Sequence, residues 1–245
     1  MKNIKLTIEY EGTNYSGWQI QENAISIQEV LEKALKELLK EKVTLIGSGR
    51  TDAGVHALGQ VANFRTNGSI PGEKYKYALK LLLPGDITVV DSREVDLKFH
   101  SRFDATGKVY KYIVYNGELP RAIYRNFSYH VPYNIDIDSM VKGSKYFIGT
   151  YDFAAFMAAK SEVSSTIRTI KQISIEKKGD LIEFYIEGNS FLRNMVRIIV
   201  GTLLYIGYGK IKPNAIPNII ASKKREKAGP TAPPQGLFLK EVFYP

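Results

Sequence analysis

Apolar and polar positions alternate with a period of two at the start of the chain, where Ile4, Leu6 and Ile8 interleave with Lys5, Thr7 and Glu9. That period predicts a strand with one buried face. After a polar, glycine-bearing stretch the period lengthens. Val30, Leu31, Ala34, Leu35 and Leu38 form a helical stripe, with Ser26 and Glu29 ahead of it at capping-box spacing. VTLIGSG (43–49) and GQVANFRT (59–66) predict a strand pair around a loop, EKYKYALKLLL (73–83) a second helix stopped by Pro84-Gly85, and ITVVDSREVD (87–96) a closing strand.

The same order returns in the second half. KVYKYIVYNG (108–117) reads as a strand and IDSMVKGSKYFIG (137–149) as a helix with Asp138 at its N-cap. Residues 166–188 read as a hairpin turning at Lys178-Gly179-Asp180, SFLRNMVRIIVGTLLYIG (190–207) as a long helix, and GLFLKEVFYP (236–245) as a last strand. Strand, helix, strand, strand, helix, strand is the split βαβ order. The prediction is an α+β fold of two similar ferredoxin-like (split βαβ) halves, 1–98 and 99–245, with adjoining, mainly antiparallel sheets and a basic central cleft. No proline- or serine-rich linker separates them.

Composition narrows the function. At 245 residues, with 44% hydrophobic positions, the chain is long enough for one large domain or two small ones and excludes a disordered class. A formal charge of +9 favours a polyanionic partner, nucleic acid or an acidic membrane surface, over an uncommitted basic protein. Without cysteine there is no disulfide framework, thiolate nucleophile or Cys-based zinc site. The opening residues alternate as a strand rather than a signal peptide, and the longest apolar stretch, MVRIIVGTLLYIGYG (195–209), is interrupted by Arg197 and too short to span a bilayer. A cytoplasmic protein with no membrane contact is the expectation.

The candidate chemistry centres on GSGRTDAGVHALGQVANF (47–64), which holds a single carboxylate, Asp52, two places after Arg50. A carboxylate beside a guanidinium keeps its charged form, which suits nucleophilic attack or stabilisation of positive charge. Gly47, Gly49 and Gly54 allow close backbone approach to a ligand that His56 also reaches. The competing reading is a plain turn, since TDAG is an ordinary turn string. A partner for the acid is sought in the apolar 190–207 helix, where Arg193 and Arg197 at i, i+4 share a face. They either pair with an acid or extend to solvent. Among the 16 tyrosines, Tyr110 and Tyr112 share one face of their strand and Tyr115 points the other way, as a core ring would. Either of the first two suits stacking on a nucleobase and proton transfer, and spacing does not choose between them.

Six blocks now stand in order: YEGTNYSGWQIQ (10–21), GRTDAGVHALGQVANF (49–64), FHSRFDATGKVYKYIVYN (99–116), GTYDFAAF (149–156), GNSFLRNMVRIIVG (188–201) and AGPTAPPQGLFL (228–239). Together they resemble the tRNA pseudouridine synthases of the TruA type over nearly the whole chain. The resemblance implies isomerisation of uridine to pseudouridine in the tRNA anticodon stem-loop, without metal or organic cofactor, by a homodimer. It implies Asp52 as the catalytic carboxylate, Tyr110 as the ring stacking on the base and a candidate to take its C5 proton, and Arg197 as the partner of Asp52. Arg193 is the second choice for that partner, and Leu237 an apolar residue under the flipped base. Arg50, His56, Arg102, Lys108 and Lys111 are the expected RNA contacts, with 223–227 (KKREK) a more distant candidate. The sequence departs from the family in ATGKV (105–109), which carries less arginine, so RNA contacts there are the weakest of the set. Trp18 is expected in the core, and His100 and His130 are expected to be structural. Two other classes compete. A non-catalytic RNA-binding or RNA-folding protein shares the charge and aromatics but gives Asp52 no task. A nucleotide-phosphate enzyme lacks its G-x-x-x-x-G-K-[ST] loop.

Overall fold

The computed structural model of the chain describes residues 1–159 and 163–245. Two compact units result, one of Met1–Thr106 with Phe238–Pro245, the other of Gly107–Leu237. The boundary expected at 98/99 therefore falls inside the first unit. The physical reason lies in side-chain anchoring of 96–101. Asn3 donates from its amide to the carbonyls of Asp96 and Phe99 at 2.9 Å each, and the Ser101 N–H donates to Asn63 Oδ1 at 2.9 Å.

In the first unit the chain runs β1 (Lys2–Tyr10), α1 (Ile27–Leu39), β2 (Ile46–Gly47), β3 (His56–Thr66), α2 (Tyr75–Lys80) and β4 (Ile87–Val95). The sheet order is β4-β1-β3, with β2 on the far edge of β3 and these three pairings antiparallel. That is the split βαβ arrangement. Ile4, Leu6 and Ile8 are fully buried, as are Ile27, Leu31 and Leu35 of α1 and Leu79 of α2. Ser26 caps α1 as predicted, its side chain accepting from the Glu29 N–H at 3.3 Å. The predicted seven-residue second strand shortens to two paired residues, and helix 73–83 contracts to α2 behind a single 3-10 turn.

The second face of β1 is not open either. Lys5 lies buried with its ammonium 4.3 Å from the Tyr244 ring centroid, a cation–π contact, and burial followed by Arg93 pulls its pKa down.

The second unit follows as β5 (Gly107–Tyr115), β6 (Tyr129–His130), α3 (Ile137–Ser144), β7 (Gly149–Asp152), β8 (Ile167–Lys178), β9 (Leu181–Gly188), α4 (Met195–Gly207) and α5 (Ile216–Ser222). Its sheet order is β5-β9-β8-β7, antiparallel throughout, with β6 parallel to β5. The hairpin turns at Gly179, which takes a φ of 61°. The cap of α3 is Asp136 rather than Asp138: its carboxylate accepts from the Ser139 N–H at 2.9 Å, and Asp138 falls inside the first turn.

The last strand, β10 (Leu237–Phe243), was expected with the second half. From Phe238 onward it belongs to the first unit, parallel to β3 in the register Phe238↔His56 and Leu239↔Ala57. Close approach fixes this pairing, because a Cβ on Gly59 would stand 2.6 Å from the Lys240 carbonyl oxygen.

Candidate functional site

Asp52 lies half-buried in the loop between β2 and β3. Its side chain sits in a loop that is held on several sides. Thr51 Oγ1 shares a 2.8 Å hydrogen bond with the Tyr10 hydroxyl, and the Thr51 carbonyl accepts from the Trp18 N–H at 3.1 Å. The Gly54 N–H donates to the Tyr15 carbonyl at 3.3 Å, while the Val55 N–H closes a turn on the Asp52 carbonyl at 3.2 Å. At the loop's base Ser48 Oγ donates to Gln60 Oε1 at 2.7 Å. Two glycines are obligatory. Gly54 has φ 75°, and Gly17 has φ 98° with space for a Cβ denied by the Thr51 carbonyl at 2.3 Å. TDAG is thus a turn, and the same geometry fixes the backbone that carries Asp52.

Gly47 does something other than admit a ligand. A Cβ there would collide with the Trp18 indole nitrogen at 2.5 Å, so this glycine seats the buried Trp18, which is core as expected.

His56, expected among the RNA contacts, is 1% exposed. Its Nδ1 accepts from the Gly12 N–H at 3.0 Å and its ring stacks on Phe238 at 4.7 Å. Through these contacts the ring joins the opening loop to β3 and β10. Arg50 by contrast is exposed, with Nε donating to Gln19 Oε1 at 3.0 Å, and Arg102 is exposed at the start of a turn.

In the second unit β5 places Tyr110 and Tyr112 on one face. Tyr112 is fully buried, its hydroxyl donates to the Pro233 carbonyl at 2.8 Å, and burial, against the nearby Arg197 charge, raises its pKa well above the ordinary phenol value. That hydroxyl is committed and unsuited to accepting a proton. Tyr110 is 8% exposed and meets Phe191 edge-on at 5.1 Å. Tyr115 is core, packed against Tyr124 and His130.

Arg197 is half-buried on the first turn of α4. Its Nε donates to the Ala232 carbonyl at 2.7 Å and its Nη1 to Asn194 Oδ1 at 3.0 Å. The segment bearing Ala232 lies flush on the helix: a Cβ on Gly201 would stand 1.8 Å from the Pro230 carbonyl oxygen, and the Gly229 N–H donates to Thr202 Oγ1 at 2.9 Å. The helical face expected to carry both Arg193 and Arg197 does not form. Asn194 turns left-handed at φ 62°, α4 begins only at Met195, and Arg193 is an exposed residue outside the helix. Asn194 and Ala232, which orient Arg197, were missed. The one available signal was an asparagine three residues before an arginine in a greasy helix.

Lys111 is drawn into an ion pair with Glu183 Oε1 at 2.6 Å across β5 and β9, and Lys108 is half-buried opposite Gly188. Leu237 is buried at the start of β10. In 223–227, Lys223 pairs with Asp152 at 2.8 Å, and Arg225 bonds the Gly229 carbonyl and Thr231 Oγ1, so part of this run is structural. His100 and His130 both bond backbone groups. A concavity of about 160 Å³ in the second unit, beside Tyr115, Arg121, Arg125 and His130, holds none of the expected residues. Among the described residues no group of His, Cys, Asp and Glu is placed to hold a metal ion, and no helix is long and apolar enough to cross a membrane.

A family model described as tRNA pseudouridine synthase matches residues 6–104 and 144–245. A protein of Acetivibrio thermocellus named tRNA pseudouridine synthase A is 52% identical over 244 residues, covering 100% of both chains. One of the same name from Thermoanaerobacter sp. is 53% identical over 244 residues, again at 100% of both. Among solved structures, the archaeal box H/ACA sRNP Nop10-Cbf5 complex gives a TM-score of 0.38 at 15% identity over 83% of this chain and 44% of that one, too loose a likeness to bear on the fold.

Proposed function

The chain belongs to the tRNA pseudouridine synthase family, a family of isomerases, and from that premise we propose that it converts uridine of the tRNA anticodon stem-loop to pseudouridine with Asp52, Tyr110 and Arg197. Isomerisation of uridine in tRNA is the activity that its relatives' name states. The observation that carries the assignment is the loop around Asp52, where backbone and side-chain hydrogen bonds on both flanks hold the chain that presents one half-buried carboxylate.

The reaction breaks the bond from uracil N1 to ribose C1′, turns the base over and forms a bond from C5 to C1′. The C5 proton is lost and N1 gains one, so no atom is added overall. Asp52 acts on the sugar, by attack at C1′ or by removing the C2′ proton. Rigid placement matters in either case, because a positioned reacting group recovers barrier that free encounter would spend on orientation. Tyr110 stacks on the base and takes the C5 proton. Arg197 serves as counter-charge to Asp52, and its clamp to Ala232 and Asn194 supports that role by fixing the guanidinium. Leu237 offers apolar surface to the base. Extruding the uridine costs a few kcal/mol, which Arg50, Arg102, Lys108 and Arg193 offset at phosphates. Lys111, held by Glu183, is the poorest of these contacts. The protein works in the cytoplasm as a homodimer.

Asp52→Ala tests the reading. Pseudouridine formation on tRNA is expected to vanish while tRNA affinity stays within about tenfold, or ~1.4 kcal/mol. Turnover near that of the unsubstituted enzyme overturns it.

A further inference from the structure

Phe103 is a large apolar ring left 74% exposed. The turn beneath it is rigid. Ser101 is fully buried, its N–H bound to Asn63 Oδ1, its hydroxyl to the Ile46 carbonyl, and its own carbonyl accepting from the Tyr244 hydroxyl at 2.7 Å. His100 Nδ1 accepts from the N–H groups of Arg102 and Phe103 at 3.2 Å each, and the His100 imidazole stacks on the Phe103 ring at 4.2 Å and 28°. The Arg102 guanidinium lies over the ring at 5.6 Å. The turn's carboxylate, Asp104, is occupied by the His100 N–H at 2.8 Å. An aromatic plate is thus backed by an imidazole, flanked by a cation, and locked outward by buried hydrogen bonds.

The geometry points to a stacking site for an unpaired nucleobase of the tRNA: we propose that Phe103 receives the face of one base while Arg102 swings to the adjoining phosphate. Burying an exposed ring against a base is favourable for every base, because each has a π-face. The guanidinium supplies the phosphate contact that fixes the register. A loose hydrophobic loop would not serve, since ordering it on binding would consume the gain. The inference rests on tRNA being the substrate, and its test reads binding rather than turnover.

Phe103→Leu keeps an apolar side chain but removes the π-face. It is expected to raise KM and weaken tRNA binding about tenfold with little change in kcat, and Phe103→Tyr is expected to recover most of that loss. The indole of Phe103→Trp, read above the buried Trp18, is expected to be quenched when tRNA is added, including in an Asp52→Ala background where no turnover occurs. Equal affinity of the leucine variant, or an indole emission that tRNA does not move, overturns the inference. So does a leucine variant that changes the sedimenting mass but not tRNA affinity, because the ring is then a protein contact. Loss of pseudouridine formation by the unsubstituted enzyme would instead sink the isomerase assignment and leave the indole readout intact.

Discussion

The hydroxyls of Tyr10 and Thr51 share a buried hydrogen bond one residue before Asp52, at 2.8 Å. Burial pushes the Tyr10 phenol upward, so it stays protonated at any working pH and the bond persists. Tyr10→Phe leaves the Thr51 hydroxyl without this partner, at a cost of about 1–3 kcal/mol. For a chain of this size that lowers Tm by several degrees, at roughly 2–4 °C per kcal/mol. The expected outcome is a lower Tm by calorimetry together with a slower single-turnover rate at unchanged tRNA affinity. An unaltered rate would mean that the loop's hold on Asp52 is redundant. At this scale the turn that carries Asp52 was legible, because TDAG is an ordinary turn string and Gly54 takes a positive φ. His56 was not, because its covering ring, Phe238, lies 182 positions later in the chain, beyond the reach of local pattern.

Strands and helices with clean periodicity were readable, and their ends less so. Ser26 gave the start of α1 because the cap is local. The start of α4 was hidden, since nothing in SFLRNMVR marks Asn194 as left-handed until its φ is seen. Helix α5 escaped notice because Pro213 and Pro217 read as breakers, yet Pro217 occupies the first turn, where a missing N–H costs nothing. The pair β5 and β9 brings Lys111 to Glu183, which Lys178 and Tyr185 also contact at 2.9 Å each. Burial alone would raise the Glu183 pKa, but these partners outweigh it and bring the carboxyl down from 4.5 to about 2. A folded value below the unfolded one means stabilisation that is complete above pH 4.5 and lost as pH falls toward 2. With the exposed Lys178 end screened by water, its size is about 1–3 kcal/mol. Acid titration of unfolding should show this loss in the natural protein, and a flatter curve in Glu183→Gln. Identical acid limbs would show the pair to be inert.

For the whole molecule, the charge of +9 stands as a claim about association. Phosphate contacts release counterions, so log affinity for tRNA falls linearly with log salt. The affinity measured by fluorescence anisotropy is expected to drop at least about tenfold between roughly 50 and 200 mM salt. A flat response would mean that the surplus lysines and arginines do not meet RNA. The α+β class and the antiparallel sheets followed from periodicity alone. What periodicity does not encode is which strand a distant one pairs with, and β10 lies parallel to β3.

That choice of partner has a consequence for how the protein is made. The unit carrying Asp52 is interrupted by 131 residues and resumes only at Phe238. On the ribosome, β3 must wait with its edge and His56 uncovered through the synthesis of the entire intervening unit. The loop bearing the acid gains its cover only once Phe238 and the residues after it have emerged.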